Sequence, residues 1–200
     1  GIQPDENAWL VETALVEHLE KVWQEADEGI WEVRGPRRHF TYSKVMAWVA
    51  VDRAVMAIER FGRPGPVERW RALRKRIHDD VCAQGFHTGL GSFVQSYDSS
   101  VLDASLLLIP LVGFLPATDV RVRGTVAAIE RELVFDGLVL RYASSPELDG
   151  LPPGEGSFIG YGMFARTPQS EFLSMVSVLG IPGGMGLLGV LGKYGMYRLA

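Results

Sequence analysis

Asp27-Glu28-Gly29-Ile30-Trp31-Glu32-Val33-Arg34-Gly35, running on to His39-Phe40-Thr41-Tyr42-Ser43-Lys44, has too many breakers to be a helix, yet it lies between two helical patterns. It gathers carboxylates, a tryptophan and basic residues into one connection, and residues of these types on a loop held by a rigid scaffold suit a functional site. Glu32 directly follows Trp31. A carboxyl beside an aromatic wall loses hydration, which raises its pKa and suits it to act as a general acid. The plainer reading is a surface loop with solvated charges.

Working outward, residues 8–25 read as a helix, with Trp9, Leu15, Val16, Leu19, Val22 and Trp23 near helical spacing and Glu12, Glu17 and Glu20 between them. After the connection 26–40, Thr41 or Ser43 can cap a second helix that runs to Phe61. Gly62-Arg63-Pro64-Gly65 is a short break, and Pro66 suits the first turn of a third helix ending near Gly85. A second long connection covers 86–102. Its start, Gly85-Phe86-His87-Thr88-Gly89-Leu90-Gly91, follows no strand pattern and reads as a loop rather than a phosphate-binding fingerprint. Asp103 opens an apolar helix over Ala104–Phe114, and Asp119 a fifth helix reaching Val134. A third long connection, 135–154, holds Arg141 and Tyr142.

Connections therefore alternate between long and short. Short links make helical hairpins. If the long ones open at the same end, they share one face. That is the layout of an all-α (α/α)6 toroid, in which inner and outer helices alternate and the site lies at one mouth. About six helices amount to half of such a ring. A helical bundle or solenoid is the simpler architecture with the same helix count.

Composition narrows the function. A net charge of −4 argues against a nucleic-acid partner. One cysteine, Cys82, excludes an internal disulfide and a cysteine-based zinc site, and suits a cytoplasmic location. His18, His39, His78 and His87 show no i,i+4 pairing, which argues against a metal. The basic run Arg69, Arg71, Arg74, Lys75, Arg76 reads as a solvated helix face, and Trp48 and Trp70 as core. From Gly156 onward ten glycines accompany a single acid, Glu171. Residues 172–192 carry no charge, but Ile181-Pro182-Gly183-Gly184 interrupts them, so a membrane span is not the reading.

Three groups remain for chemistry: Trp31 and Glu32 in the first long connection, Gln95, Tyr97 and Asp98 in the second, and Arg141 and Tyr142 in the third. Aromatic rings stack on sugar faces, and amides, carboxylates and guanidinium groups bond sugar hydroxyls. Glycoside cleavage needs two carboxyls. Glu32 suits one; Asp98, Asp149 and Glu155 all remain open for the other.

Residues 27–53, from Asp27-Glu28-Gly29-Ile30-Trp31-Glu32 to Asp52-Arg53, resemble the family 15 glycoside hydrolases, which comprise glucoamylases, glucodextranases and bacterial trehalases. So do residues 93–142, from Phe93-Val94-Gln95-Ser96-Tyr97-Asp98 to Arg141-Tyr142, and residues 149–158. The resemblance runs in one register over 5–158 and supports the toroid. It implies an inverting hydrolase that releases glucose from a maltooligosaccharide, a dextrin or trehalose, with no metal or organic cofactor. Glu32 takes the place of the family's general acid, Trp31 packs at the bound sugar, and Arg141 and Tyr142 match an Arg-Tyr pair whose arginine contacts sugar hydroxyls. The family's base follows a Gly-Leu-Leu turn, whereas here Gly186-Leu187-Leu188 leads into Gly189-Val190-Leu191-Gly192-Lys193 without an acid. The expectation is a partial catalytic domain over 1–158, either a piece or an interrupted reading frame, followed by a divergent glycine-rich tail over 159–200. A catalytically inactive sugar-binding or scaffold remnant is the second reading, and an unrelated helical interaction protein the third. An open half-ring exposes apolar faces, which favours self-association.

Overall fold

The computed structural model describes residues 6–32, 35–135, 138–143 and 157–158. Long helices dominate: α1 (Glu6–Val22), α2 (Thr41–Phe61), α3 (Val67–Gln84) and α5 (Val120–Leu133), with one short turn of helix, α4 (Leu108–Leu111). Short strands fill the connections. β1 (Phe86–His87) pairs antiparallel with β2 (Ser92–Phe93), and β3 (Val134–Phe135), β4 (Leu138–Leu140) and β5 (Ser157–Phe158) form a three-stranded antiparallel sheet.

Burial separates the helices into two kinds. In α2, Val45, Ala47, Trp48, Val49, Ala50, Val51, Ala54 and Val55 are all buried, so the helix is enclosed on every side. In α3 the buried residues are Trp70, Leu73, Ile77 and Val81, a single stripe at helical spacing. An enclosed helix beside a one-faced helix is the inner–outer pairing of an α/α toroid. Trp48 and Trp70 are core residues, as expected. Each fully buried apolar side chain contributes about 1.5–3 kcal/mol. The ion pairs on the solvent face of α3, such as Arg69 with Glu17 at 3.1 Å, are half-exposed and contribute little by comparison. Arg74 departs from the solvated-face reading: it reaches the buried Asp52 at 2.8 Å, which Arg53 also holds at 2.5 Å.

α1 is fixed to this hairpin by tryptophan. Trp9 meets Trp70 edge-on at 6.3 Å, and its indole N–H donates to the Pro64 carbonyl at 3.0 Å. Gly62 ends α2 in the left-handed region (φ 65°), where its N–H reaches the Ile58 carbonyl. Among the described residues no helix is long and apolar enough to cross a membrane. The tail 159–200 and its apolar run lie outside the described residues.

Three expectations need correction. Neither Thr41 nor Ser43 caps α2; the N-cap is Phe40, without a side-chain bond. The Ser43 hydroxyl donates instead to Asp27 Oδ1 at 2.8 Å, and Thr41 Oγ1 has no hydrogen-bond partner among the described residues. The Ala104–Phe114 helix is a 3-10 turn over Ala104–Leu107 followed by α4 alone. Pro110, which has no N–H to donate, and Gly113 (φ 80°) keep it short. The glycine-rich stretch after Gly85 is the β1–β2 hairpin. Leu90 N–H donates to the His87 carbonyl and Gly91 N–H to that of Thr88, each at 3.2 Å.

Candidate active site

The first long connection is closed at its neck. Asp27 and Arg38 exchange backbone hydrogen bonds of 2.9 Å in both directions. Asp27 Oδ1 also accepts from Gly29 N–H at 2.7 Å. Below the neck, the buried Lys44 of α2 donates its ammonium to the carbonyls of Trp23, at 2.7 Å, and Glu25. Burial pushes the Lys44 ammonium below its ordinary pKa, against Asp27, Asp80 and Glu25, which pull it up. The tip that carries Trp31 and Glu32 is thus anchored at its base.

Backbone hydrogen bonds then join one connection to the next. Thr41 N–H donates to the Gln95 carbonyl at 2.9 Å, and Tyr97 N–H to the His39 carbonyl at 3.0 Å. Ala104 N–H donates to the Arg141 carbonyl at 2.8 Å, where Asp103 bridges Tyr142. The described parts of the three long connections are therefore joined on one face, as their alternation with short links implied.

At their meeting point is a carboxyl. Asp103 is only 2% exposed. The Trp31 indole N–H donates to both of its oxygens, at 3.0 and 2.9 Å. The Gln95 amide donates to Oδ2 at 2.9 Å and the Ser105 N–H to Oδ1 at 2.7 Å. Burial raises the Asp103 pKa above the ordinary carboxylate range, against the hydrogen bonds from Ser105, Gln95 and Trp31, which lower it. The Arg141 guanidinium carbon lies 5.7 Å from the centre of the Trp31 ring and 5.8 Å from that of Tyr142, within cation–π reach of both. Tyr142 is itself buried.

The structure thus brings Trp31, Gln95, Arg141 and Tyr142 together, with Glu32 next in the chain after Trp31. Glu32 is exposed and sits at φ 49°, a left-handed conformation rare for a residue with a side chain. The loss of hydration expected from its neighbour is not met; the carboxyl buried against Trp31 is that of Asp103. Gln95 is 2% exposed, and its amide holds Asp103. Tyr97 turns elsewhere: its hydroxyl donates to Asp80 of α3 at 2.8 Å and its ring stacks on His39 at 5.9 Å. Burial, reinforced by Asp80, pushes the Tyr97 phenol far above its ordinary pKa, so it remains a donor. Asp98 is exposed, also in the left-handed region at φ 57°. Asp149 and Glu155 lie outside the described residues.

Asp103 is the residue that sequence reasoning took only for a helix cap. A signal existed: it is a lone carboxyl between Leu102 and Ala104 in an apolar run, and a carboxyl buried there needs partners. Two cavities are lined by residues outside this cluster. One of about 320 Å³ at the root of the first connection is lined by Trp23, Asp27, Ser43 and Lys44 among others. One of about 610 Å³ lies by Trp48, Arg74, His78 and Phe114.

Inner and outer helical hairpins, with a polar–aromatic cluster gathered from their long connections, define a protein of the (α/α)6 toroid class. A family model described as glycosyl hydrolases family 15 matches residues 1–183. The chain belongs to glycosyl hydrolase family 15. It is 49% identical over 156 residues to a trehalase of Mycobacterium tuberculosis, a match covering 78% of this chain and 23% of that protein. It is 40% identical over 152 residues to a trehalase of Thermoplasma volcanium, covering 76% and 24%. The fold is also similar to that of a glycosidase variant solved in complex with glucose, with a TM-score of 0.57 at 24% identity, covering 65% of this chain and 34% of that one. The chain spans about a quarter of the length of the trehalases it matches.

Proposed function

We propose that this chain carries the general-acid side of an inverting glucoside hydrolase site that takes trehalose. The convergence of three separate connections on Trp31, beside Glu32, is the observation that carries the reading. In it, Glu32 protonates the glycosidic oxygen, Trp31 forms an apolar wall beside the sugar, and Arg141 and Tyr142 meet its hydroxyls. The exposure of Glu32 suits a proton donor that is desolvated only when sugar covers it. An inverting partner carboxylate stands about 6.5–9.5 Å from the acid, with a water between them. The relatives named as trehalases favour trehalose over maltooligosaccharide or dextrin. No metal or organic cofactor enters this chemistry.

The test is glucose release by the 200-residue chain from trehalose and from maltose, with Glu32→Gln beside it. Release from trehalose that falls by about 10²–10⁴ in the variant, the usual contribution of a general acid, supports the reading. Release that is unchanged in the variant removes Glu32 from the role. The second reading, a sugar-binding remnant without a base, rests on the absence of an acid after Gly186-Leu187-Leu188. It is favoured by trehalose binding without any release of glucose. Self-association fits the exposed Leu10, Val11 and Leu15 of α1, and light scattering of the purified chain tests it. A cytoplasmic location fits the single free thiol of Cys82.

A further inference from the structure

We propose that Asp103 is a positioning residue of this site: its carboxyl fixes the plane of the Trp31 indole, and through it the wall beside Glu32. The proposal rests on the sugar-site reading above.

The geometry is that of a fork. One indole N–H lies between two carboxyl oxygens at nearly equal distances, 3.0 and 2.9 Å. Turning the indole about its side-chain bonds loses both contacts at once. The carboxyl is itself locked, because the Gln95 amide holds one oxygen and the Ser105 N–H the other. All three partners are donors and none is an acceptor, so the carboxyl is held through its acceptor oxygens. Burial leaves no water to replace a lost contact. The cap of the 3-10 turn needs only the bond to Ser105 N–H. Asparagine or serine could supply that, so capping does not account for the second oxygen. What the second oxygen adds is its grip on Trp31 and on Gln95.

That difference supplies the test. Asp103→Ser keeps a cap but is too short to reach the indole, whereas Asp103→Asn keeps the reach with a single acceptor oxygen. Two readouts are taken on the whole 200-residue chain: hydrogen exchange of the Trp31 indole N–H by NMR, assigned through Trp31→Phe, and the trehalose dissociation constant. Asp103→Ser is expected to speed indole exchange and weaken trehalose binding by about tenfold each, the loss of a buried hydrogen bond, with Asp103→Asn between it and the parent. A folded Asp103→Ser chain with unchanged indole exchange, or with faster exchange but unchanged trehalose affinity, overturns the proposal. If Asp103→Ser does not fold, Asp103→Asn decides: indole exchange and affinity equal to the parent's overturn it, and a loss in both supports it. If the parent binds no trehalose, the sugar-site reading fails, and the sugar-wall role of Asp103 falls with it; the exchange data then show whether the fork holds Trp31 independently.

Discussion

Gly124 of α5 lies against the turn of the β1–β2 hairpin so closely that a Cβ on it would stand 2.0 Å from the carbonyl oxygen of Gly91. Both atoms belong to rigid parts of the fold, so neither can yield as a flexible side-chain end would. Gly124→Ala should therefore push the hairpin off α5 and cost about 1–3 kcal/mol, the usual range for overpacking. Thermal unfolding checks this, and an unchanged melting temperature would sink it. The second connection continues from β2 to Gln95, so the displacement should also reach the Trp31 cluster.

Lys44 holds the root of the first connection through two backbone carbonyls. Lys44→Met fills the same space without a donor and leaves those carbonyls buried without it. A loss of about 1–3 kcal/mol is expected. Urea unfolding measures the loss. Limited proteolysis should show new cleavage between residues 23 and 40, and a protease pattern identical to the parent's would count against the anchoring role.

Asp103 also sets a pH dependence. Its native pKa is raised, chiefly by burial. Above the unfolded carboxylate value of about 3.9, the unfolded chain has released a proton that the native chain still holds, until the pH passes the raised native value. Stability from this group is therefore greatest below that window and declines as the pH rises through it. Asp103→Asn cannot titrate. Its stability relative to the parent should rise across a urea-unfolding series from about pH 4 to about pH 8. A relative stability that falls over that range contradicts the sign.

Arg141 lies over two rings, and its planar guanidinium can stack where an ammonium cannot. Arg141→Lys should weaken trehalose binding by about 0.5–1.5 kcal/mol, the net worth of one hydrogen bond from the guanidinium fork to a sugar hydroxyl. Isothermal titration against trehalose checks this; an unaltered affinity would place the guanidinium outside the sugar's reach.

The helices were legible because their burial is local. The break Gly62-Arg63-Pro64-Gly65 and Pro66 mark where α2 stops and α3 starts, and the burial of Trp70, Leu73, Ile77 and Val81 at helical spacing agrees with that reading. The site was legible in part, since the alternation of long and short links brings Trp31, Gln95 and Arg141 to one face. The strands were not, because pieces of two or three residues carry no periodicity. Nor was Asp103, whose burial is decided by a tryptophan 72 positions away. The capping of α2 was misread for the same reason: the Ser43 hydroxyl is bound by Asp27, which the loop's closure brings back to the helix. Local signals said what each residue could do, and distant partners chose among those options.

The backbone bonds that run from the first connection to the second, and from the second to the third, have a mechanical consequence. Among the described residues, none of these stitched points can move outward alone, because Thr41, Gln95, Tyr97, Ala104 and Arg141 would each lose a main-chain bond that holds them to the next. Under the sugar-site reading proposed above, binding across these stitched residues would lose little loop entropy, and the affinity would reflect the contacts themselves.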